Sequence, residues 1–468
     1  MHTKPSASAI DCGLASPAPD RSLRHGLRAS VPLLGALLYT AAAAQGVNYG
    51  PFTLNAFAKT EVGRANNQSN QGADIQLYPR ESKDRVWADQ LVVGAPYGTK
   101  STGTLLFQPW LGAKFDIGGG FKLSALVSQR WRGGRGLPTT ADIPGFIYEK
   151  NVAISHEDYG SIRIGKMVSR AWSIADYPYG TNVGLADEWA SSGAAYGLNT
   201  SAIRFTSRIL DAMAGDLVLE ATYDRGNTAF KIHKPRFLEF FGQYHRGDLV
   251  VDAIIQDTRN GNPQAWSHGP FTGLTPFPQD DSKVGGSGQG IVMVMARYEV
   301  NARWQVSGGL RRNSWSGAYA VITTPGTPGN ATTPATPDQW NNMFNVDWNN
   351  TSNNRWFPGY SATSIDGFAG LRYRWTKWSA WTAMQRLGKA STANPMDRGK
   401  NNWATFNTAG VQYEVGRGLA IYSSVGLVNY GRLGLSPMSM PTNSAFTGVD
   451  SRVTKTGNWF ILGAVYVL

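Results

Sequence analysis

The feature that most constrains this chain is a repeated alternation of apolar and polar residues over segments of about ten residues. In residues 104–117, apolar side chains recur at every second position from Leu105 to Ile117, and Lys114 and Asp116 lie between them. A period of two is typical of a β-strand with two different faces, whereas a helix would repeat its apolar positions roughly every three to four residues. The chain is therefore predicted to be all-β.

Sixteen segments of this kind follow one another along the sequence, although other ways of dividing it give 14 or 18. Their lengths suit strands that cross a bilayer at a tilt of about 45°, which need roughly 9–11 residues. The predicted strands are 52–62, 104–117, 121–132, 147–157, 159–167, 200–209, 215–224, 236–246, 247–257, 289–300, 302–313, 364–376, 377–388, 403–415, 417–430 and 458–468.

The connections between these strands alternate strictly between short and long. Such sorting is typical of a transmembrane antiparallel β-barrel, with short periplasmic turns at one end and long extracellular loops at the other. In lipid the sheet must close on itself, because no water is present to pair with backbone groups. The short turns are 118–120, 158, 210–214, 246–247, 301, 375–377 and 416, and the long loops are 63–103, 133–146, 168–199, 225–235, 258–288, 314–363, 389–402 and 431–457.

Composition agrees with a barrel and excludes a helical membrane protein. The longest apolar run, 31–44, has 14 residues and is too short to span a bilayer as a helix. Aromatic residues make up 12% of the chain, yet the mean hydropathy is −0.28, so apolar and polar residues are finely interspersed. The 54 glycines favour many turns rather than a helical bundle.

The N-terminus has the pattern of an export signal. Arg21, Arg24 and Arg28 precede the apolar stretch 31–39, and the small residues 42–44 suit a cleavage site. We expect 1–44 to be removed, leaving 45–468 as a single barrel domain; the alternative is a buried helix of a soluble domain. Removal takes away four basic and two acidic residues, so the net charge falls from +12 to +10, and it takes away Cys12, the only cysteine. Disulfides, cysteine metal sites and cysteine nucleophiles are then excluded.

Aromatic residues cluster near the predicted strand ends, as expected of the interfacial girdles of a barrel. The C-terminal segment alternates to the last residue, Leu468, which suits a closing strand paired with the first one. The predicted girdle residues are Phe52, Phe115, Phe121, Trp131, Tyr223, Tyr298, Trp304, Tyr373, Trp375 and Trp378.

Two local motifs resemble the trimeric diffusion porins of Gram-negative bacteria, especially those of betaproteobacteria. Residues 153–166, AISHEDYGSIRIGK, resemble the strand, tight turn and basic strand that lead into the third loop of that family. Residues 201–205, SAIRF, resemble the strand that follows the loop. The strand rhythm extends the resemblance over 46–468, whereas the long loop 314–363 and the terminal Leu468 depart from the family pattern.

The resemblance implies a water-filled channel whose third loop, 168–199, folds into the lumen and narrows it. Acidic residues of this constriction loop would then face basic residues of the wall. By parity and strand position, the expected basic residues are Lys59, Arg130, Arg163 and Arg204, and for Arg163 and Arg204 the family motif agrees. The expected acidic residues are those of the third loop: Asp176, Asp187 and Glu188. The charge of the mature chain favours a preference for anions, and Arg297, Arg303, Arg311, Arg372 and Arg374 share the inward parity.

Other kinds of site have weaker support in the sequence. The aromatic and asparagine-rich stretch 340–357 of the long loop could bind sugar rings or simply pack its own core. The glycine-rich stretch 285–290 lacks the strand-then-helix context of a phosphate loop. The histidines have no metal-ligand spacing, and no nucleophile elbow is found, so we expect no metal, no cofactor and no enzymatic activity.

Three functions remain open from the sequence. The first is a general diffusion porin for small hydrophilic solutes and ions, a homotrimer by resemblance, in contact with outer-membrane lipid and lipopolysaccharide. The second is a channel specific for a sugar or an anion, and the third is a plugged barrel that serves as an adhesin or an enzyme. Polar inward faces favour a channel over a plugged barrel. The basic residues are dispersed through the strands, so nucleic acid is not an expected partner.

Overall fold

The structure is a computed structural model. It describes residues 46–67, 98–134, 137–141, 148–176, 179, 198–225, 231–232, 234, 236–259, 274–276, 287–317, 319–324, 339–342, 362–389, 391–392, 403–416, 418–430 and 456–468. No helix in these ranges is long and apolar enough to cross a lipid bilayer.

The fold is a closed antiparallel β-barrel of 16 strands, as the sequence predicts. Each strand pairs with the next, and β16 pairs with β1 from Asn66↔Asn458 to Phe57↔Val467. The barrel strands are β1 Phe52–Asn67, β2 Gly98–Gly118, β3 Phe121–Ser128, β4 Glu149–His156, β5 Gly160–Val168, β6 Leu198–Thr206, β7 Gly215–Asp224, β8 Arg236–Arg246, β9 Leu249–Arg259, β10 Ser287–Glu299, β11 Trp304–Gly317, β12 Ala362–Trp375, β13 Trp378–Leu387, β14 Ala404–Gly416, β15 Leu419–Tyr430 and β16 Thr456–Val467.

Shorter elements accompany the barrel. One helix, α1 Arg170–Asp176, follows β5. Leu274–Pro276, Tyr319–Thr324 and Gln339–Asn342 form a separate three-stranded sheet, so part of the predicted long loop 314–363 is itself paired. The remaining short strands are Val47–Tyr49, Trp131–Gly134, Leu137–Ala141, Leu210–Ala212 and Ser391–Thr392.

Side chains alternate between the outer surface and the lumen, as the period of two requires. In β4, Asn151, Ala153 and Ser155 are buried inside, whereas Val152 and Ile154 are 51% and 49% exposed outside. A continuous outer surface of exposed Val, Ile, Leu and Phe is the surface that a bilayer covers in a transmembrane barrel.

The short turns all lie at one end of the barrel, called here the short-turn end; the opposite end is the long-loop end. Gly118, Gly119 and Gly120 have positive φ values of 88°, 61° and 81°, which let β2 reverse into β3 within two residues. Outward-facing rings follow one another at this end: Trp304–Tyr373, Tyr373–Trp375, Trp375–Trp378 and Trp378–Tyr413 have ring centroids 4.6, 5.5, 6.3 and 4.7 Å apart.

Several strand ends differ from the prediction, and the first hairpin and β3 are two examples. The hairpin of β1 and β2 extends to Asn67↔Gly98, well beyond the apolar alternation, because hydrogen bonding between the two strands continues where side chains are polar. The predicted strand 121–132 is interrupted after Ser128, where the Gln129 side chain accepts a hydrogen bond from the backbone N–H of Arg130 (2.7 Å). Beyond this interruption, Trp131–Gly134 resumes pairing with β2.

A luminal side chain spans the closing strand of the barrel. Tyr422 of β15 lies across Gly463 of β16, and its hydroxyl donates a hydrogen bond to Glu61 of β1. Lys59 forms an ion pair with the same carboxylate at 3.0 Å. A Cβ atom at Gly463 would lie 2.4 Å from the Tyr422 ring, so only glycine leaves room for this contact.

We therefore predict that Gly463→Ala destabilises the barrel. The added methyl group displaces the Tyr422 ring and should cost about 1–3 kcal/mol, typical of overpacking. Urea unfolding in lipid vesicles measures the change. Gly112→Ala is the matched control, because a Cβ there meets its nearest atom at 3.7 Å. Equal stability of the two variants would contradict the role given to Gly463.

Candidate functional site

The third long connection folds into the lumen over its described residues, 169–176 and 179. Ala171, Ser173 and Tyr179 have no exposed surface, and α1 packs against the inward face of β9. The predicted inward course is therefore confirmed for these described residues, and the site consists of this segment together with the wall strands beneath it.

Arg170, the first residue of α1, forms a two-point ion pair with Glu220 of β7. Its Nε donates to Oε2 at 2.5 Å and its Nη2 donates to Oε1 at 2.8 Å. Both side chains are almost completely buried. Burial alone would lower the pKa of Arg170, but the carboxylates of Glu220, Glu239 and Asp252 together outweigh burial and raise it, so the guanidinium stays charged. The two parallel hydrogen bonds fix both the position and the orientation of the Arg170 side chain.

Glu239 of β8 binds the N-terminus of α1. Its two carboxylate oxygens accept hydrogen bonds from the backbone N–H groups of Arg170 and Ala171 at 2.7 and 2.9 Å. These are among the N–H groups that a helix cannot pair internally. Gln256 of β9 donates to the same carboxylate at 3.0 Å and holds it in place.

Tyr179 makes a third contact between this segment and the wall. Its hydroxyl donates to Asp252 of β9 at 2.9 Å, and its ring lies 5.8 Å from the ring of Phe368 of β12. Burial, followed by the nearby Asp252 carboxylate, raises the pKa of Tyr179 well above its ordinary value. The phenol therefore remains a hydrogen-bond donor.

Two of the predicted basic residues, Arg163 and Arg204, lie directly opposite each other on β5 and β6, beside this segment. Arg204 donates to the Thr222 hydroxyl and to the carbonyl oxygen of Val168, both at 2.8 Å. It also lies 3.8 Å from Glu239 and 3.9 Å from Glu220. The carboxylates thus offset the repulsion that two opposed arginines would otherwise have.

Arg163 has a different environment from Arg204. Its Nη1 donates to the side-chain oxygen of Asn151, and the side chain is only partly buried. Nearby on β4, Glu149 accepts hydrogen bonds from the backbone N–H of Val168 at 3.2 Å and from the Trp110 indole at 3.4 Å. Asn151 is neutral, and the carboxylates of Glu149 and Glu220 act on Arg163 from a greater distance, so Arg163 is less closely paired than Arg204.

The other predicted site residues lie on other parts of the wall, at the end of α1 or outside the described residues. Lys59 is paired with Glu61 on β1, and Arg130 follows β3, with its Nη1 3.4 Å from the Tyr148 hydroxyl. Asp176 is the last residue of α1, and its side chain is not among those described. Asp187 and Glu188 lie outside the described residues.

The acidic residues that contact the bases of the described site belong to the wall, and the sequence analysis did not select them. Glu220, Glu239 and Asp252 lie at inward positions of their strands, as many other polar residues do. This position was the only feature of the sequence that pointed to them. Arg170 carried no signal, because it lies between two predicted strands.

The lumen is also less polar than its predicted inward faces suggest. On β8 to β12, large apolar side chains point inward and are buried, and the segment with Tyr179 lies against part of this patch. The patch comprises Phe237, Phe241, Ile254, Ile291, Met293, Met295 and Phe368. A wall face that packs against a protein segment need not be polar. This packing explains why apolar residues occupy inward positions of these strands.

No protein-family model and no curated protein sequence matches the chain. Among solved structures, it resembles the anion-selective porin from Comamonas acidovorans with a TM-score of 0.51 and 11% identity, covering 89% of this chain and 99% of that one. It also resembles OmpF of Salmonella typhi, in a complex with daunomycin, with a TM-score of 0.50 and 10% identity over 91% and 100% of the two chains. The fold is that of the outer-membrane porins.

We predict that Arg204→Gln destabilises the porin fold strongly. Its removal leaves the buried Glu220 and Glu239 with one cation fewer, and breaking a buried ion cluster costs about 3–5 kcal/mol. Urea unfolding in lipid vesicles provides the measurement. Lys122→Gln, an inward-parity lysine on β3 that is partly exposed, should change stability little. A loss of the same size in both variants would contradict the arrangement described.

Proposed function

We propose that this protein is an outer-membrane porin that forms a water-filled channel for the passive diffusion of small hydrophilic solutes and ions. The observation that carries the proposal is a closed 16-strand barrel with a segment held inside it next to a charged cluster. An inward segment reduces the cross-section, and charges at that level act on passing ions. The proposal includes no catalytic activity.

We further propose a preference for anions. Arg163 supports it, because its hydrogen-bond partner is the neutral side chain of Asn151, the carboxylates of Glu149 and Glu220 act on it only from a greater distance, and its side chain is partly exposed. The charge of +10 expected for residues 45–468 acts in the same direction. The proposal retains Lys59, Arg130 and Arg204 as further basic residues of the channel, and Asp176, Asp187 and Glu188 as the acids of the constriction loop.

Conductance in a planar bilayer under a salt gradient tests both the channel and its anion preference. The wild-type channel should open in discrete steps with a reversal potential of anion sign. Arg163→Gln should shift the reversal potential toward cations, because it removes one positive charge from the lumen. Arg246→Gln, which removes an exposed charge at the end of β8, is the control and should leave the potential unchanged. A cation-selective wild type would refute the anion preference, and a folded protein without conductance would refute the channel.

We propose a homotrimer, with β3 and β4 at the interface. Both strands have eight residues, fewer than the roughly 9–11 that a tilted strand needs to cross the bilayer. Their outward side chains include Val127, Val152 and Ile154, which are about half exposed in the single chain. Burial against neighbouring subunits would remove these two short strands from contact with lipid.

The trimer predicts a native band of three subunits that resists SDS until it is heated. Ile154→Asn should weaken this band, because it places an amide in the proposed interface. Ile255→Asn is the matched control, since Ile255 is 54% exposed on β9, away from β3 and β4. A native monomer would contradict the trimer, and equal effects of the two substitutions would contradict the position of the interface.

The proposed location is the bacterial outer membrane, reached after removal of the export signal 1–44. Exposed arginines at the long-loop end of the outer surface support contact with acidic lipopolysaccharide groups. These are Arg236, Arg259, Arg312 and Arg386. Guanidinium groups suit phosphate recognition because they donate two parallel hydrogen bonds.

A further inference from the structure

We propose that Lys114 of β2 and Lys122 of β3 form a second anion-binding site, at the short-turn end of the lumen, whose ligand is a polyvalent oxyanion of the phosphate type. These two lysines are called here the turn-end site. The site is separate from the charged cluster beside α1, because Lys114 lies three strands away from Arg163. The inference rests on the channel proposed above, since a channel is what brings solutes to this face of the wall.

Both lysines point into the lumen. Trp110 of β2 and Ser128 of β3 have the same parity as the lysines and are buried on the inner face of the wall. Lys114 lies directly opposite Ser124 on β3, and Lys122 is two residues before Ser124. The two lysines are therefore diagonal neighbours, about 7–8 Å apart. At this separation the two ammonium groups repel each other, and an anion between them would interact with both.

The two lysines differ from luminal cations that are paired within the protein. Lys59, Arg311 and Arg374 form ion pairs with carboxylates at 3.0, 2.9 and 2.7 Å. Lys114 is exposed and Lys122 is partly exposed, and neither forms an ion pair with a carboxylate in the part of the chain that the structure describes. Their charges are thus available to a solute in the lumen.

The surroundings of the lysines leave room for such a solute. Asp116 lies opposite Lys122, but its Oδ1 accepts a hydrogen bond from the backbone N–H of Gly118 at 2.9 Å and so is bound to the turn. The inward side chains on the other side of the lysines, on β3 and β4, are small. They are Ser124, Ala153 and Ser155. An oxyanion can therefore approach both ammonium groups along the wall.

The chemistry of two neighbouring lysines favours a polyvalent oxyanion. Each ammonium group is a compact charge with three donors on a flexible stem, so it can follow the tetrahedral arrangement of phosphate oxygens. The attraction grows with the charge of the anion, and a polyvalent anion interacts strongly with both lysines. Because the groups are exposed to water, binding is weak enough for the anion to leave again, as conduction requires.

Block of the chloride current by inorganic pyrophosphate tests the site. In a planar bilayer, pyrophosphate should block at a lower concentration from one side, because the lysines lie at one end of the lumen. Replacing both Lys114 and Lys122 by Gln should raise the half-blocking concentration on that side about tenfold. The control is Lys377→Gln, which removes an exposed lysine from the turn between β12 and β13 at the same end. Equal block in the double variant and the control would overturn the proposal, as would a block that Arg163→Gln alone abolishes.

Thiol labelling measures the charge of the site independently of conductance. Ser124, between the lysines, is partly exposed, and Cys12, in the segment expected to be removed, is the only native cysteine. Ser124→Cys should react faster with an anionic methanethiosulfonate reagent than with a cationic one, relative to the rates of the two reagents with a free thiol. Adding Lys114→Gln and Lys122→Gln should lower this ratio about tenfold, whereas adding Lys377→Gln should leave it unchanged.

The two measurements separate the site from the channel. A labelling ratio that falls in the double variant, together with a lack of conductance in every folded variant, would support the turn-end site and refute the channel. Conductance with a labelling ratio that does not depend on the two lysines would support the channel and refute the site. A β-sheet circular dichroism spectrum that is the same for all variants verifies that each one is folded.

Discussion

The pairing of backbone hydrogen bonds is the constraint on which the rest of this structure depends. A lipid bilayer offers no partner for an unpaired N–H or C=O, so a sheet that crosses it must have no free edge. Here β16 supplies the last pairing with β1, and Tyr422 reaches across β16 to Glu61 at the same seam. Because successive side chains of a strand point to opposite faces of the sheet, closure also places every second side chain in the lumen. Any polar function must therefore be carried by these inward residues or by a segment brought inside.

Charged groups inside the barrel are arranged mainly as partners of one another. Arg311 and Asp366 form a fully buried pair at 2.9 Å, and Arg374 and Glu299 pair at 2.7 Å near the short-turn end. A buried charge without a partner is far more costly than a paired one, although a pair itself adds little net stability. Paired luminal charges thus add less to the field in the lumen than their number suggests. An arginine whose hydrogen-bond partner is neutral, such as Arg163, should contribute more to that field than arginines in direct contact with a carboxylate.

The sequence was sufficient to predict the strands but only part of the site. Alternation and tight turns are local signals, and they located all 16 barrel strands. Parity and motif also placed Arg163 and Arg204 inside. What they could not provide was the pairing of the inward segment with the wall, because Arg170 and Glu220 are 50 residues apart in the sequence and Tyr179 and Asp252 are 73 apart. Nothing local separates Glu239 from another inward carboxylate such as Asp366.

Glycines within strands also predict part of the packing, because they indicate where another group comes close to the backbone. A glycine inside a strand often marks the close approach of another group, and a Cβ at Gly463, Gly410 or Gly309 would lie within 2.6 Å of an aromatic ring. The rings belong to Tyr422, Trp381 and Phe368, on the neighbouring strand in each case. The sequence shows that space is needed at these glycines, but only the strand register shows which ring occupies it.

The inward segment is best understood as a unit that forms only when it docks. A helix of seven residues is too short to be stable alone in water. In α1, Glu239 satisfies the first two N–H groups, and Ala171 and Ala175, one turn apart, are both buried. Helix formation and docking therefore depend on the same contacts. The carboxylates of the wall therefore stabilise the helix and its docked position together.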